Sequence, residues 1–293
     1  MTAQAYASDP LVSADAVTRR FGDFTAVANL TMEVRPGEVV GLLGANGAGK
    51  TTLIRMLLGL LAPTDGHVTM LGGKPDRDHR RRVGYVPQGL GLYQDMSVEE
   101  NLAFIADTYA APTAVLPDSL ASYREVLVAK VPLGARREIA FIAALSHTPE
   151  VLLLDEPTSG VDALSRARLW DDIRGQADDG VGILVTTHHM QEAAQCDRLL
   201  LLRDGKLVGQ GSEADVIAGT TAVAVGTDRW ERAFDVLNAA GVAVMLDGTA
   251  VRTVGTSSDD VREVLARANL VAQVHTVPAT IEERMLVLAQ DGL

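Results

Sequence analysis

The chain has 293 residues, 47% hydrophobic and 22% charged, with a formal net charge of −12. That balance suits a globular α/β chain with room for one large domain or two, and the acidic excess argues against a surface built to wrap nucleic acid. A single cysteine, Cys196, excludes an internal disulfide and fits a reducing compartment. Residues 1–10 carry neither a basic stretch nor an apolar core, so no secretory signal is expected. No apolar run approaches the roughly 20 residues that span a bilayer. The expectation is a cytoplasmic chain that meets a membrane only through a partner.

Taken in order, residues 11–35 alternate around Leu11, Ala14, Val17, Phe21, Ala26, Val27 and Leu30, giving short strands split at Gly22-Asp23. A turn at Pro36-Gly37-Glu38 feeds an apolar run over 39–43, read as a buried strand. A glycine-rich stretch follows, and a helix opens at Leu53 and ends over 61–66. Residues 67–71 alternate like an exposed strand, and the basic run 79–82 reads as a solvated face. A strand over 83–88 enters a loop at Gln88. Ser97-Val98-Glu99-Glu100 matches a capping box ahead of Leu102, Phe104 and Ile105, and 118–146 reads as further helix interrupted at Pro132.

Apolar runs at 151–154, 182–186 and 199–202 do not alternate, and helices lie between and after them; this points to a parallel sheet covered on both faces. After Gly211 the texture changes. Strand 221–225, helix 228–240, strand 242–246, a hairpin signal at Asp247-Gly248, strand 251–254, helix 258–268 and strand 271–277 give a β-α-β-β-α-β, ferredoxin-like order. Thr280-Ile281-Glu282-Glu283 caps a last helix. Two domains are expected, 1–215 and 216–293, the second a small α+β unit.

The stretch Gly44-Ala45-Asn46-Gly47-Ala48-Gly49-Lys50-Thr51-Thr52 lies between a strand and a helix, the context in which GxxxxGK[ST] cradles phosphate. Its glycines let backbone N–H groups converge on phosphate oxygens at a helix N-terminus. Lys50 is placed to reach the terminal phosphates and the Thr51 hydroxyl to hold Mg²⁺. Residues 151–154 form a strand ending in Asp155-Glu156-Pro157, which brings two carboxylates to the same sheet edge. In such a site the first serves the metal and the next polarises the attacking water.

With both elements in place, the chain resembles the ATP-binding cassette family. Leu154-Asp155-Glu156-Pro157-Thr158-Ser159-Gly160-Val161-Asp162 is similar to that family's Walker B and D-loop. Gln88 in Tyr85-Val86-Pro87-Gln88 matches its Q-loop, His188 in Val185-Thr186-Thr187-His188 its switch histidine, and Phe21 its adenine-stacking aromatic. The resemblance runs from about residue 11 to 215. It implies a P-loop NTPase cassette with a RecA-like core, an antiparallel β-subdomain and a helical subdomain at about 89–150. It also implies Glu156 as general base, His188 on the terminal phosphate, Gln88 sensing Mg²⁺, and Asp162 communicating across a dimer. ATP and Mg²⁺ are the implied cofactors.

One motif departs from the pattern. Where the family carries leucine-serine-glycine-glycine-glutamine, this chain has Val131-Pro132-Leu133-Gly134-Ala135. Pro132 lacks the hydroxyl and the N–H that would meet a partner's ATP, while Gly134 and the helix dipole remain. The resemblance implies the ATPase subunit of an ABC-2 type exporter, some of whose members read similarly here. It would pair with a second ATPase subunit and dock on separate membrane permease subunits at the cytoplasmic face, without nucleic acid. The alternatives are a ribosome- or DNA-associated cassette and a weakly hydrolytic subunit with a degenerate site.

Overall fold

The computed structural model describes residues 9–290; most of the stretch inspected for a leader, residues 1–10, lies outside them. The chain divides into two compact units between Gln210 and Gly211.

In the first unit β1 (Val12–Phe21) and β2 (Phe24–Val34) form an antiparallel hairpin, and β3 (Val39–Leu43) leads into α1 (Lys50–Leu57). β4 (Asp65–Met70), the short α2 (Arg77–Arg80), β5 (Val83–Val86) and α3 (Val98–Tyr109) follow, then α4 (Leu133–Leu145), β6 (Val151–Asp155), α5 (Ala163–Asp178), β7 (Gly182–Thr187), β8 (Arg198–Arg203) and β9 (Lys206–Gly211). A three-stranded sheet runs β2-β1-β4, and a six-stranded sheet runs β5-β6-β7-β3-β8-β9. From β5 to β8 the second sheet is parallel.

Its inner strands are buried on both faces, which explains their unbroken apolar runs. Val40, Leu42, Leu153 and Leu184 enter one core with α1 and the three-stranded sheet. Val39, Leu152, Leu154, Ile183 and Val185 enter the other with α3, α4 and α5. Successive residues therefore serve opposite layers, as the strand period of two requires.

Several expectations are corrected. The segment 118–131 is not α-helix: it holds two 3-10 turns, Asp118–Tyr123 and Val128–Lys130. Its backbone folds back over the start of α3, where Val98 N–H donates to Val126 O and Glu99 N–H to Arg124 O. These bonds satisfy N–H groups that a helix start leaves unpaired, and they compete with local helix. The segment after β7 is likewise a 3-10 turn, Met190–Gln195. The first helix starts at Lys50, three residues before the expected Leu53. In the basic run, Arg82 pairs with Glu150 and Arg80 donates to Leu58 O, so that face is partly tied to the protein. The capping box at Ser97 and Glu100 is present as read.

The second unit holds α6 (Glu213–Ile217), β10 (Thr221–Gly226), α7 (Trp230–Ala239), β11 (Ala243–Asp247), β12 (Ala250–Val254), α8 (Ser258–Arg267), β13 (Gln273–Pro278) and α9 (Ile281–Gln290). Its sheet is antiparallel in the order β11-β12-β10-β13. The hairpin pairs Asp247 with Ala250, with Gly248 left-handed at φ 62 in the two-residue loop. Val223, Val225, Val251, Ala233, Leu237, Val261 and Leu265 fill the core between the sheet and α7 and α8.

Candidate nucleotide site

Strand β3 delivers residues 44–49 to the start of α1. The N-cap there is Gly49, left-handed at φ 106, and no side chain caps the first-turn N–H groups. Uncapped N–H groups at a helix start form a ready anion cradle. Two glycines are required by close approach: a Cβ on Gly44 would meet Leu202 O at 2.4 Å, and one on Gly49 would meet Ala26 O at 2.4 Å. Lys50 folds back along the loop, donating to Gly44 O (2.7 Å) and Ala45 O (3.2 Å). Thr51 and Thr52 occupy the first turn of α1.

Strand β6 ends at Asp155, whose two carboxylate oxygens are held separately. Thr51 Oγ1 donates to Oδ2 at 2.8 Å, and Thr186 Oγ1, from neighbouring β7, donates to Oδ1 at 2.6 Å. Glu156 follows in a left-handed backbone conformation, φ 52, and its N–H donates to Thr186 O and Oγ1. Outside glycine that conformation costs about 1–2 kcal/mol. Glu156 and Lys50 are each 5% exposed, and Lys50 Nζ lies 3.4 Å from Glu156 Oε1. Gln88 Nε2 reaches Glu156 Oε2 at 3.4 Å. His188 Nδ1 is 3.3 Å from the same oxygen without hydrogen-bond alignment, and its ring lies 4.2 Å from that of His189.

Lys50, Thr51, Gln88, Asp155, Glu156 and His188 thus converge. A cavity of about 500 Å³ opens beside them, lined by Phe24, Ala26, Asn46, Gly47, Gly49, Lys50, Thr51, Thr52, Gln88 and Glu156 but not by Asp155 or His188. Phe21 does not line it. Phe21 pairs with Phe24 across the β1–β2 hairpin, is 47% exposed, and has the Arg19 guanidinium 4.5 Å over its ring.

The variant motif is elsewhere. Pro132 is the N-cap of α4, with no side-chain cap bond. A Cβ on Gly134 would lie 3.3 Å from Ser165 Oγ and 3.9 Å from Asp162 Oδ2. Asp162 caps α5 by accepting from the N–H groups of Leu164 and Ser165, and those bonds, with the Ser165 hydroxyl, hold its pKa below the ordinary value. None of residues 131–135 lines the cavity.

Sequence reasoning missed Phe24, Thr186, Arg137 and Glu192. Thr186 alone had a visible signal, a hydroxyl in an otherwise apolar buried strand. Arg137 Nη1 donates to Glu156 O at 2.8 Å and Pro157 O at 3.0 Å from within α4. Glu192 accepts from Thr158 Oγ1.

A P-loop on a parallel sheet, facing two strand-end carboxylates, defines a nucleoside-triphosphate-binding cassette. The family model for ABC transporters matches residues 27–159. The chain is 38% identical over 223 residues to the Nod factor export ATP-binding protein I of Ralstonia nicotianae, covering 72% of this chain and 70% of that protein. It is 37% identical over 229 residues to the probable multidrug ABC transporter ATP-binding protein YbhF of Escherichia coli, covering 74% of this chain but only 40% of that longer protein. Among solved structures, an ATP-binding subunit of an ABC transporter superposes with a TM-score of 0.63 at 25% identity, over 70% of this chain and 91% of that one. The chain belongs to the ABC transporter ATP-binding family, a family of ATPases.

Proposed function

We propose that this chain is the ATP-hydrolysing subunit of an ABC-2 type exporter, working as a dimer beneath separate membrane permease subunits. The observation that carries the reading is the convergence of Lys50, Glu156, Gln88 and His188 around one phosphate cradle. One relative's name speaks of a multidrug ABC transporter and the other's of Nod factor export, and the second supports the transport direction. Among the described residues no helix is long and apolar enough to cross a membrane, and in this reading the membrane path is supplied by partner subunits, with the chain at the cytoplasmic face. The β-α-β-β-α-β order after Gly211 supports a ferredoxin-like accessory domain.

In this reading residues 44–49 bind the phosphates through backbone N–H groups, and Lys50 leaves its carbonyl partners for the β- and γ-phosphate oxygens. Glu156 accepts a proton from the water attacking the γ-phosphorus as the bond to the bridging oxygen breaks, releasing ADP. His188 donates to the γ-phosphate and helps to orient that water. Phe21 and Phe24, at one hairpin end, form the platform for adenine. Gly134 and Asp162 act across the dimer, which fits the absence of residues 131–135 from this chain's own cavity.

The donor set also fits Mg²⁺. Thr51 Oγ1 and Asp155 Oδ2 are hard oxygens 2.8 Å apart, and Gln88 lines the same cavity as Thr51. Among the described residues no group of three metal-binding side chains occurs, and Mg²⁺ commonly binds one or two carboxylates together with substrate phosphates. When bound it neutralises phosphate charge.

The test is Glu156→Gln in the full-length chain. ATP binding should persist while turnover falls by about 10²- to 10⁴-fold, the range of general-base catalysis. Unchanged turnover would remove Glu156 from its role. Co-purification with ribosomal RNA and never with a membrane protein would overturn the exporter reading.

A further inference from the structure

We infer that Arg137 is a positioning residue for ATP hydrolysis, holding the turn that aims Glu156 and tying that turn to helix α4. This rests on the assignment of Glu156 as the base.

Arg137 lies in the second turn of α4 and is only 7% exposed. One of its terminal nitrogens donates to two consecutive carbonyls, Glu156 O at 2.8 Å and Pro157 O at 3.0 Å. Those carbonyls belong to the turn in which Glu156 is left-handed. That backbone is unfavourable by itself, so neighbours must hold it. From β7, Thr186 holds the turn by its N–H side; from α4, Arg137 holds it by its carbonyl side. The carboxylate between these two clamps is directed at Lys50.

The choice of residue is costly. Burial lowers the pKa of Arg137, and its Nε has no hydrogen-bond partner. The Glu156 carboxylate, whose charge acts on Arg137 without forming an ion pair with it, is engaged by Lys50, so Arg137 directs its donors to carbonyls. A buried cation without a paired acid is a poor way to stabilise a core. Charge-assisted donation to carbonyls is, however, stronger than neutral donation, and it restrains the position of a backbone segment. The helix extends the effect. Arg137 stands about one turn after Leu133, at the end of α4 that begins with the variant motif, and Leu133 packs beside Gly160. A displacement of that helix end is therefore transmitted to the backbone of Glu156.

Single-turnover rates and ATP affinities of the full-length chain test this, using Arg137→Met, Arg137→Lys, Glu156→Gln and the Arg137→Met/Glu156→Gln double variant. Arg137→Met should slow hydrolysis by about 10²-fold, the scale of a misplaced catalytic group, with ATP affinity changed less than about twofold. Arg137→Lys should recover part of the rate, because an ammonium still reaches one carbonyl. In the Glu156→Gln background, Arg137→Met should cause no further loss. An equal proportional loss in that background, or a loss of rate matched by lost ATP affinity, overturns the inference. If Arg137→Met does not fold, Arg137→Lys decides: slower hydrolysis with intact affinity supports the role, and wild-type turnover overturns it. Unchanged turnover in Glu156→Gln alone instead sinks the base assignment.

Discussion

Thr158 donates a 2.6 Å hydrogen bond to Glu192, and both side chains are buried. The bond joins the turn after β6 to the 3-10 turn after β7. The remaining carboxylate oxygen of Glu192 has no hydrogen-bond partner, and Arg166 Nε stands 3.7 Å from the bonded one. Thr158→Val strips the short donor from a buried carboxylate and should destabilise the first unit by about 1–3 kcal/mol. Thr158→Ser keeps the hydroxyl and should be milder. Denaturant midpoints compare them; equal midpoints for the two variants would dismiss the bond as a support.

The aromatic end of the β1–β2 hairpin should govern affinity for the base and leave the phosphates alone. Stacking on an aromatic ring is worth about 1–3 kcal/mol per base by alanine substitution. The double change Phe21→Ala/Phe24→Ala should weaken ATP binding by that amount and leave inorganic triphosphate binding unaltered. The single variants, titrated by calorimetry, divide the effect between the two rings. Equal losses for ATP and triphosphate would mean that the hairpin contributes folding rather than stacking.

Pro132 caps a helix without a side-chain bond, yet Lys50, Glu156 and His188 are assembled regardless. Pro132→Ser with Leu133→Gly should therefore change steady-state turnover by less than about tenfold. A rise of several orders of magnitude would show instead that the natural motif limits hydrolysis.

In the second unit, Arg252 donates to both oxygens of Glu283, and Thr280 N–H donates to one of them. Burial pushes the Glu283 carboxyl up, but these bonds outweigh it and the pKa falls below its ordinary 4.5. A carboxyl depressed on folding contributes stability that is fully present above the unfolded value and is lost as pH falls through the folded one. Stability of this unit should decline on acidification below about 4.5, and Arg252→Met should flatten that decline. Denaturation at pH 7 and pH 4 tests it; an equally steep decline in the variant would exclude the pair.

The parts of this structure governed by local pattern were legible in the sequence. Residues 39–43 and 151–154 read as buried strands because they are, and the cradle between β3 and α1 follows from its glycines. The 118–131 segment was not legible: its backbone bonds run to the start of α3, 25 or more residues away, and propensity carries no trace of them. Arg137 was hidden for a related reason. An arginine on a helix reads as solvated, and only the return of β6 beneath α4 turns it inward. Phe24 was hidden because a hairpin end places two aromatics side by side.

The ladder partners of β7 set a fixed interval within the site. Asp155 on β6 is level with Thr186, and Leu43, the last residue of β3, is level with Thr187. Strand β7 is interposed, so the backbone ends of β3 and β6 stand two inter-strand spacings apart, about 9.5 Å, and the side chains of Thr51 and Lys50 reach across that interval to Asp155 and Glu156. The main-chain ladder sets that interval, so repacking the cores above and below should not alter it. A register slip of β7 would instead shift the two strand ends along the strand direction, and with it every side chain of that strand would exchange faces.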